Sequence, residues 1–563
     1  MTASSDFPLP WLEGHTIDEV LRTTVRKYGD RDAMVFPKSG QRWTWTEFEK
    51  EVDAAARALV ALNVRKGEHV AVWATNVPQW VIMQFATARI GAVLVTINPA
   101  YRPFELKYVL DQSDAVALFL VDKFKTSDYF AMLKEVLPSL GSPEGGSPRA
   151  LNLKEFPKLR NVVAFQGEPP EGVFKWNEFL ELCGEPSEHD YNAALQYLEP
   201  QDKINIQYTS GTTGFPKAAT LSHRNLLFNA YYIGDCQRLT HEDRICIPVP
   251  FYHCFGCVLG TLACAVYGSA MIVPNEYFKP TETLQAIAAE RATALYGVPT
   301  MFIAQLEEPT FSQYDLKSLR TGIMAGAPCP IEIMRQVIDK MGASEITIAY
   351  GQTEASPVVT QTRYDDPIEL RVETVGRATP GVEVKIVDPA TGETLGDNTQ
   401  GEFCCRGHAV MLGYYKNPEA TAAAIDKDGW LHTGDLAIRT PKGYFRITGR
   451  IKDMLIRGGE NIYPREIEEC LFTHPAIEQA AVVGVPDLKY GEEVCAWIRL
   501  KSGSSLTEAE VRDFCKKQLA HYKTPKYVRF VESFPQTVTG KIQKFKIRET
   551  MIEEHQLKQH ETA

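Results

Sequence analysis

Apolar residues in the first part of the chain follow two different periods. Residues 16–28 and 44–62 repeat them at helical spacing, and the second segment opens with a capping box, Thr44 to Glu47. Short apolar runs at 70–73 and 92–97 are typical of buried strands, and a helical stretch at 77–90 separates them. This alternation predicts an α/β fold, with a parallel sheet covered by helices on its faces.

The pattern changes twice further along the chain. Residues 372–414 are rich in strands, with strict alternation at 382–386, and predict a small barrel-like or sandwich-like β subdomain. After residue 450 an α+β unit of about one hundred residues follows, which is a typical domain size. The charged join at 449–453 ends a strand and suggests a hinge, so we divide the chain into domains 1–451 and 452–563. The polar tail after Arg548 is expected to fray. The helices and strands predicted in the C-terminal unit are 464–472, 480–484, 493–500, 507–519 and 527–531.

Residues 245–275 contain no Asp, Glu, Lys or Arg and are long enough to cross a bilayer. Prolines and glycines interrupt them repeatedly, which argues against a membrane helix. We predict instead a buried βαβ unit, with a helix at 258–267 and a second strand at 271–273. No transmembrane segment is therefore expected.

Charge and cysteine content narrow the function classes. The formal net charge of −11 argues against broad binding to nucleic acid, which needs a basic surface. The 12 cysteines are scattered, and the first residues are acidic and have no apolar run. We therefore expect reduced thiols, no cleaved leader and a cytoplasmic protein. The sequence leaves a homodimer open.

The most informative stretch follows an apolar strand at 204–208. Its glycines let backbone N–H groups converge on an anion, while hydroxyls and a lysine add donors and charge. A Walker-type loop has Gly directly before Lys and a helix after it. Here Pro216 precedes Lys217, which disfavours a Walker ATPase or kinase. The stretch reads Tyr208-Thr209-Ser210-Gly211-Thr212-Thr213-Gly214-Phe215-Pro216-Lys217.

Further motifs follow in a fixed order, and together they resemble the adenylate-forming superfamily. That superfamily contains acyl-CoA synthetases, peptide-synthetase adenylation domains and beetle luciferases. The resemblance covers nearly the whole chain, down to Lys541. The motifs are Ala325-Gly326-Ala327-Pro328, Tyr350-Gly351-Gln352-Thr353-Glu354, Thr433-Gly434-Asp435, Arg446-Ile447-Thr448-Gly449-Arg450, Ile456-Arg457-Gly458-Gly459-Glu460-Asn461-Ile462-Tyr463-Pro464 and Pro535-Gln536-Thr537-Val538-Thr539-Gly540-Lys541.

The resemblance implies a site for ATP and Mg²⁺ in the large domain. A carboxylate suits both ribose hydroxyls, and a hard oxygen ligand suits Mg²⁺. An aromatic face suits adenine. The implied roles are Thr209, Ser210, Gly211, Thr212, Thr213, Gly214 and Lys217 at the phosphates, Gly326, Ala327 and Pro328 along the adenine, and Tyr350 stacked on it with Gly351 and Gln352. The resemblance further places Thr353 at the α-phosphate, Glu354 and Thr209 at the metal, Asp435 at the ribose, and Arg450 at the ribose or the phosphate.

The small C-terminal unit is implied to rotate about Lys452 between two half-reactions. In the first, Lys541 inserts between the acyl carboxylate and the α-phosphate. In the second, Gly458, Gly459 and Glu460 form part of the channel for coenzyme A. His253 aligns with the acyl-pocket segment and is either a catalytic or gating residue or an ordinary core histidine.

The activity implied is that of an ATP-dependent acid–thiol ligase, and the chain looks most like medium-chain fatty-acid ligases. Aryl acids stay open, because an apolar pocket separates such substrates poorly. The pocket segment around His253 lacks the Asp of the amino-acid-activating branch. Cys254 and Cys257 have no second cysteine pair, so no zinc site is expected there. The alternative from a different functional class is a protein that binds nucleotide and an acyl chain as a sensor and does not catalyse a reaction.

Overall fold

A computed structural model of the 563-residue chain describes residues 10–209, 216–327, 329–457, 460–538 and 540–557. The α-helices are Ile17–Tyr28, Trp45–Ala61, Pro78–Arg89, Pro103–Ser113, Tyr129–Val136, Trp176–Glu181, Glu188–Ala194, His223–Cys236, Ala263–Tyr267, Pro280–Glu290, Pro299–Leu306, Ile331–Met341, Ile368–Glu373, Pro418–Ala424, Pro464–Phe472, Glu508–Gln518 and Lys544–His555. A π-helical run covers Phe255–Leu262, and 3₁₀ turns cover Leu182–Gly184, Phe311–Gln313, Thr353–Ala355, Ile451–Asp453 and His521–Lys523.

Local capping determines where several of these helices begin. Thr44 and Thr507 each form the predicted capping box, in which the hydroxyl accepts a backbone N–H and a glutamate three residues on accepts the N–H of the threonine. Thr16 forms another one ahead of Ile17–Tyr28. The predicted helix limits agree with the observed ones within a residue at these positions.

Two large sheets form the body of the protein. Both have parallel interiors with antiparallel strands at an edge, which confirms the predicted α/β class. In spatial order, the nine-stranded sheet contains Gln41–Thr44, Asp32–Phe36, Ala270–Ile272, Arg244–Cys246, Ala294–Gly297, Thr321–Ala325, Glu345–Gly351, Val358–Gln361 and Arg377–Ala378. The eight-stranded sheet contains Phe174–Lys175, Asn161–Ala164, Ala115–Leu120, His69–Trp73, Val93–Ile97, Lys203–Thr209, Lys217–Ser222 and Gly413–Tyr414.

Two smaller sheets follow along the chain. The β subdomain predicted at 372–414 is a four-stranded antiparallel sheet that extends beyond that range to Arg450, with strands Val382–Val387, Gln400–Gly407, Leu431–Arg439 and Phe445–Arg450. The C-terminal unit has a five-stranded sheet of Glu460–Ile462, Leu455–Arg457, Gly491–Leu500, Ile477–Asp487 and Tyr527–Phe530. Short hairpins join Lys123–Phe124 to Ser127–Asp128 and Gly146–Ser147 to Ala150–Leu151.

The uncharged stretch at 245–275 is a buried βαβ unit, as predicted. Arg244–Cys246 and Ala270–Ile272 are parallel neighbours, and Phe255–Leu262 with Ala263–Tyr267 connects them. The helical part begins earlier than predicted, at Phe255, and its first turns are π-helical. Among the described residues, no helix is both long and apolar enough to span a membrane.

The prediction of a frayed tail after Arg548 is wrong for residues 549–555. The helix Lys544–His555 continues through them and lies on the strand Ile477–Asp487. Ile547 and Met551 are fully buried in a cluster with Trp497 and Phe534. Their spacing of four residues puts both on one face of an otherwise polar helix, and this face provides the packing that keeps the helix ordered.

Candidate active site

The predicted nucleotide residues gather at the carboxyl ends of strands from both large sheets. Thr321–Ala325 and Glu345–Gly351 are parallel neighbours, so Gly326 and Gln352 emerge at the same edge. Open α/β sheets characteristically bind ligands outside the carboxyl ends of their strands. The motif residues are therefore close in space although more than twenty residues separate them in sequence.

Close backbone contacts explain two glycines at this edge. Gly326 has φ +84°, a left-handed conformation that side chains rarely adopt, and an added Cβ would lie 3.2 Å from Val298. At Gly351, a Cβ would lie 1.7 Å from the carbonyl oxygen of Pro357. Beside them, the carbonyl of Ala327 accepts a hydrogen bond from the Cys329 thiol at 3.5 Å. Pro328 lies outside the described residues.

The predicted phosphate loop connects two antiparallel strands. Thr209 and Lys217 are register partners, and the Thr209 hydroxyl donates to the Lys217 carbonyl at 3.3 Å. A strand, Lys217–Ser222, follows the loop, whereas a Walker loop leads directly into a helix. This arrangement excludes the Walker alternative. The predicted residues Ser210, Gly211, Thr212, Thr213 and Gly214 lie outside the described residues.

Glu354 and Lys217 meet the same tyrosine. The Tyr414 hydroxyl donates to Oε1 of Glu354 at 2.8 Å, and Nζ of Lys217 lies 5.0 Å from the centre of the Tyr414 ring. Gly413–Tyr414 is a two-residue strand that pairs with Lys217–Ser222. Sequence reasoning missed Tyr414, because nothing in its local pattern indicates that pairing. Thr353 is buried beside Glu354 in a 3₁₀ turn.

The residues predicted for the ribose lie in contact with the one predicted for adenine. Asp435 is buried on Leu431–Arg439, and its Oδ2 accepts a hydrogen bond from the Tyr350 hydroxyl at 2.7 Å. Its Oδ1 lies 2.6 Å from Nε of Arg450, an ion pair without the alignment of a hydrogen bond. The carboxylate raises the pKa of Arg450, and burial raises the pKa of Tyr350. Both remain protonated at neutral pH.

Lys541, from the C-terminal unit, reaches the same edge of the sheet. A Cβ on Gly326 would lie 3.7 Å from Cε of Lys541, and the Gly540 carbonyl accepts from the Thr300 hydroxyl at 3.5 Å. Burial lowers the pKa of Lys541, and the charge of Arg450 lowers it further, while Asp435 and Glu354 act in the opposite direction. The carboxylates of two separate motifs, Asp435 and Glu354, thus favour the charged form of Lys541.

His253 is a neutral, half-buried imidazole. Its Nδ1 accepts the Phe255 N–H at 3.2 Å, which places the ring proton on Nε2. Burial and then the charge of Lys541 lower the pKa of His253 to about 3. Next to it, Gln207 accepts from the Cys254 thiol at 2.8 Å and donates to Cys257 Sγ at 3.2 Å.

The remaining predicted residues belong to the C-terminal side. Lys452 lies in the turn Ile451–Asp453, between the third sheet and the C-terminal sheet. Glu460 begins the strand Glu460–Ile462 and pairs in register with Arg457, whose guanidinium is held by Glu493 at 2.7 Å. Gly458 and Gly459 lie outside the described residues.

Comparison with known proteins identifies the family of this chain. The family model of AMP-binding enzymes matches residues 21–415, and that of the AMP-binding enzyme C-terminal domain matches residues 466–541. The putative acyl-CoA synthetase YngI of Bacillus subtilis (strain 168) is 50% identical over 538 residues, which cover 96% of this chain and 97% of YngI. The mitochondrial medium-chain acyl-CoA ligase ACSF2 of Danio rerio is 44% identical over 96% of this chain and 88% of its own length.

Solved structures resemble the whole chain. The anthranilate CoA ligase AuaEII in complex with anthranoyl-AMP superposes with a TM-score of 0.85 at 26% identity, covering 99% of this chain and all of that one. ATP-bound MatB from Rhodopseudomonas palustris gives 0.80 at 29% identity, covering 96% of this chain and 100% of MatB. These likenesses confirm the predicted adenylate-forming fold and ATP dependence. The chain therefore belongs to the AMP-binding enzyme family, in its acyl-CoA synthetase branch.

Proposed function

We propose that this protein joins a medium-chain fatty acid to coenzyme A, using ATP and releasing AMP and diphosphate through an acyl-adenylate. The medium-chain specificity rests on the similarity to ACSF2. The observation that carries the mechanism is the position of Lys541, whose ammonium lies at the edge of the sheet that also holds Gly326 and is influenced by both Glu354 and Asp435.

The chemistry requires two anions to react. A carboxylate must approach the α-phosphate, and the charge that builds up between them is stabilised by a fixed cation in a closed site. Lys541 is suited to this role because it is half-buried and because the Thr537 hydroxyl accepts a hydrogen bond from its backbone N–H at 3.1 Å. Lys217 and the loop before it would bind the phosphates, and Asp435, with Tyr350 and Arg450, would bind the ribose.

His253 would orient the acid. Because Nδ1 is occupied by the Phe255 N–H, the Nε2 proton is available to donate to the acyl carboxylate. With its pKa near 3, the ring stays neutral and does not act as a base at neutral pH. We therefore assign His253 to positioning of the acid and not to proton transfer.

Glu354 and Thr209 fit a magnesium ion. Carboxylate and hydroxyl oxygens are the ligands that Mg²⁺ takes in proteins, usually together with several waters. The Thr209 hydroxyl donates its proton to the Lys217 carbonyl, so its lone pairs are directed elsewhere. When bound, the metal would neutralise phosphate charge, while Tyr414 keeps the Glu354 carboxylate oriented.

The second half-reaction would use the other face of the C-terminal unit. We propose a boundary at residues 451 and 452, with Lys452 as the hinge and Gly458, Gly459 and Glu460 at the coenzyme A channel. Rotation would withdraw Lys541 and bring that loop to the acyl-adenylate. A cytoplasmic location is proposed from the composition, and the cysteines of the described residues are all free thiols.

An aryl acid is the second candidate substrate, because AuaEII, a structural neighbour, is an anthranilate CoA ligase. The test is a substrate panel of hexanoate, octanoate, decanoate, benzoate and anthranilate with Mg-ATP and coenzyme A. We expect AMP, diphosphate and acyl-CoA in equal amounts, with octanoate or its neighbours preferred. ADP as the product, or no turnover with any acid, would refute the proposal. A preference for the aryl acids would replace only the substrate class.

A further inference from the structure

Glu402, Cys404 and His432 form a compact cluster outside the proposed reaction centre. Glu402 and Cys404 lie two residues apart on Gln400–Gly407, and His432 is the register partner of Cys404 on the next strand. Nδ1 of His432 lies 2.8 Å from Oε2 of Glu402 and 3.4 Å from Sγ of Cys404. The three ligand atoms all lie within 4.8 Å of one another.

We propose that Glu402, Cys404 and His432 form a binding site for a divalent transition-metal ion of the zinc class. Thiolate, imidazole and carboxylate are the ligand types that zinc takes, and three protein ligands leave one position for water. Tetrahedral zinc bonds imply ligand-to-ligand separations of about 3.4 Å between N and O and about 3.6 Å between N and S. The observed separations of 2.8 and 3.4 Å are therefore within about 1 Å of what the ion needs.

The surroundings support a metal ligand set. Nε2 of His432 lies 3.6 Å from Oδ2 of Asp426, and a histidine that binds metal commonly directs its other nitrogen to a carboxylate. Glu402 and Cys404 are buried on one strand, while the His432 side chain on the adjoining strand is one-third exposed and gives the ion a route in. The positive charge of Lys385, the register partner of Cys404, would repel a metal ion bound nearby. Its ammonium group, however, is directed over the Trp430 ring.

Metal binding displaces the protons on Nδ1 of His432 and on the sulfur of Cys404. In the metal-free protein one proton lies between His432 Nδ1 and Glu402, and another is on the Cys404 sulfur. When Nδ1 binds the ion, the imidazole proton moves to Nε2, which faces Asp426, and the Cys404 proton leaves to solvent. One proton is therefore released while the N, O and S atoms each form one bond to the ion. No oxidant or reductant is involved.

The cluster is connected to the residue proposed for the ribose. Oε1 of Glu402 accepts the Gly434 N–H at 3.0 Å, next to Asp435. An ion that draws Glu402 towards itself would strain that hydrogen bond, so we expect bound zinc to raise the KM for ATP. This link rests on the proposed function, whereas metal binding itself does not.

Cobalt is the probe for the site, because a cobalt–thiolate bond has a charge-transfer absorption that oxygen and nitrogen ligands lack. The full chain, reduced and free of substrates, is titrated with Co²⁺ and then with Zn²⁺. We expect one equivalent of cobalt to give the thiolate absorption and zinc to abolish it. Cys404→Ser should remove the absorption, and Asp426→Asn should weaken binding roughly 10–100-fold. Cys183→Ser, at a partly exposed thiol away from the cluster, is the matched control and should behave as wild type.

The proposal is overturned if wild type gives no thiolate absorption, if Cys404→Ser retains it, or if Cys183→Ser loses it. Should Cys404→Ser fail to fold by circular dichroism, zinc-induced change in melting temperature decides instead. A rise in wild type that His432→Gln lacks supports the site, and an equal rise in both refutes it. Because no acid, ATP or coenzyme A is present, these outcomes are independent of the acyl-CoA assay.

Discussion

Replacing Lys541 with alanine separates the two half-reactions. The side chain comes from the C-terminal unit, and its Cε approaches Gly326 of the large domain. Arg450, a nearby cation, is engaged with Asp435 at 2.6 Å and does not replace the missing ammonium. The variant therefore removes a charge from the centre of the proposed adenylation site without changing the sheets that form it.

The expected magnitude follows from two independent estimates. Two unit charges 4 Å apart interact by about 4 kcal/mol at an effective dielectric constant of about 20. Loss of one fixed group that stabilises transition-state charge costs roughly 10²–10³ in rate, or about 2.7–4 kcal/mol. The two agree, so acyl-adenylate formation should fall roughly 100- to 1,000-fold. The thioester step, in which Lys541 is proposed to be withdrawn, should keep a near wild-type rate.

Two assays on one purified protein measure this difference: diphosphate release from acid and ATP, and acyl-CoA formation from synthetic acyl-adenylate. Lys546→Ala is the matched control, because Lys546 is an exposed lysine on the same unit. It should leave both rates unchanged. An equal fall of both rates in Lys541→Ala would mean that the lysine serves the fold or both steps. No fall in either would remove Lys541 from the mechanism.

Three further changes test other parts of the site and the fold. Tyr414→Phe keeps the ring beside Lys217 but removes the hydrogen-bond donor to Glu354. Because hydrogen bonds to charged groups contribute about 1.5–3 kcal/mol, half-maximal activity should need about tenfold more Mg²⁺. An unchanged dependence of activity on Mg²⁺ would contradict this. Asp435→Asn should raise the KM for ATP by about 10- to 150-fold for the same reason, and a folded variant with an unaltered KM would show that the ribose is bound elsewhere. Met551→Ala should destabilise the C-terminal unit by about 2–5 kcal/mol in denaturant unfolding, because it empties a buried position in the last helix; a loss below 1 kcal/mol would contradict that packing.

Local signals in the sequence determined much of this protein. The capping boxes at Thr44 and Thr507 depend on residues three apart, so the helices they begin are predictable from a short window. The breaks within 245–275 likewise identified a βαβ unit in place of a membrane helix. The ordered motifs, read as a resemblance, indicated the family and the residue types that its chemistry needs.

Only the tertiary structure decided what those residues touch. Tyr414 reaches Glu354 because a two-residue strand joins the edge of a sheet about two hundred residues away in sequence. His432 meets Glu402 through strand pairing, and the last helix is ordered because Met551 is buried on a distant strand. These contacts depend on register and packing between separated segments, which single-residue patterns do not encode. A local pattern specifies an element, whereas a site requires the several elements to meet.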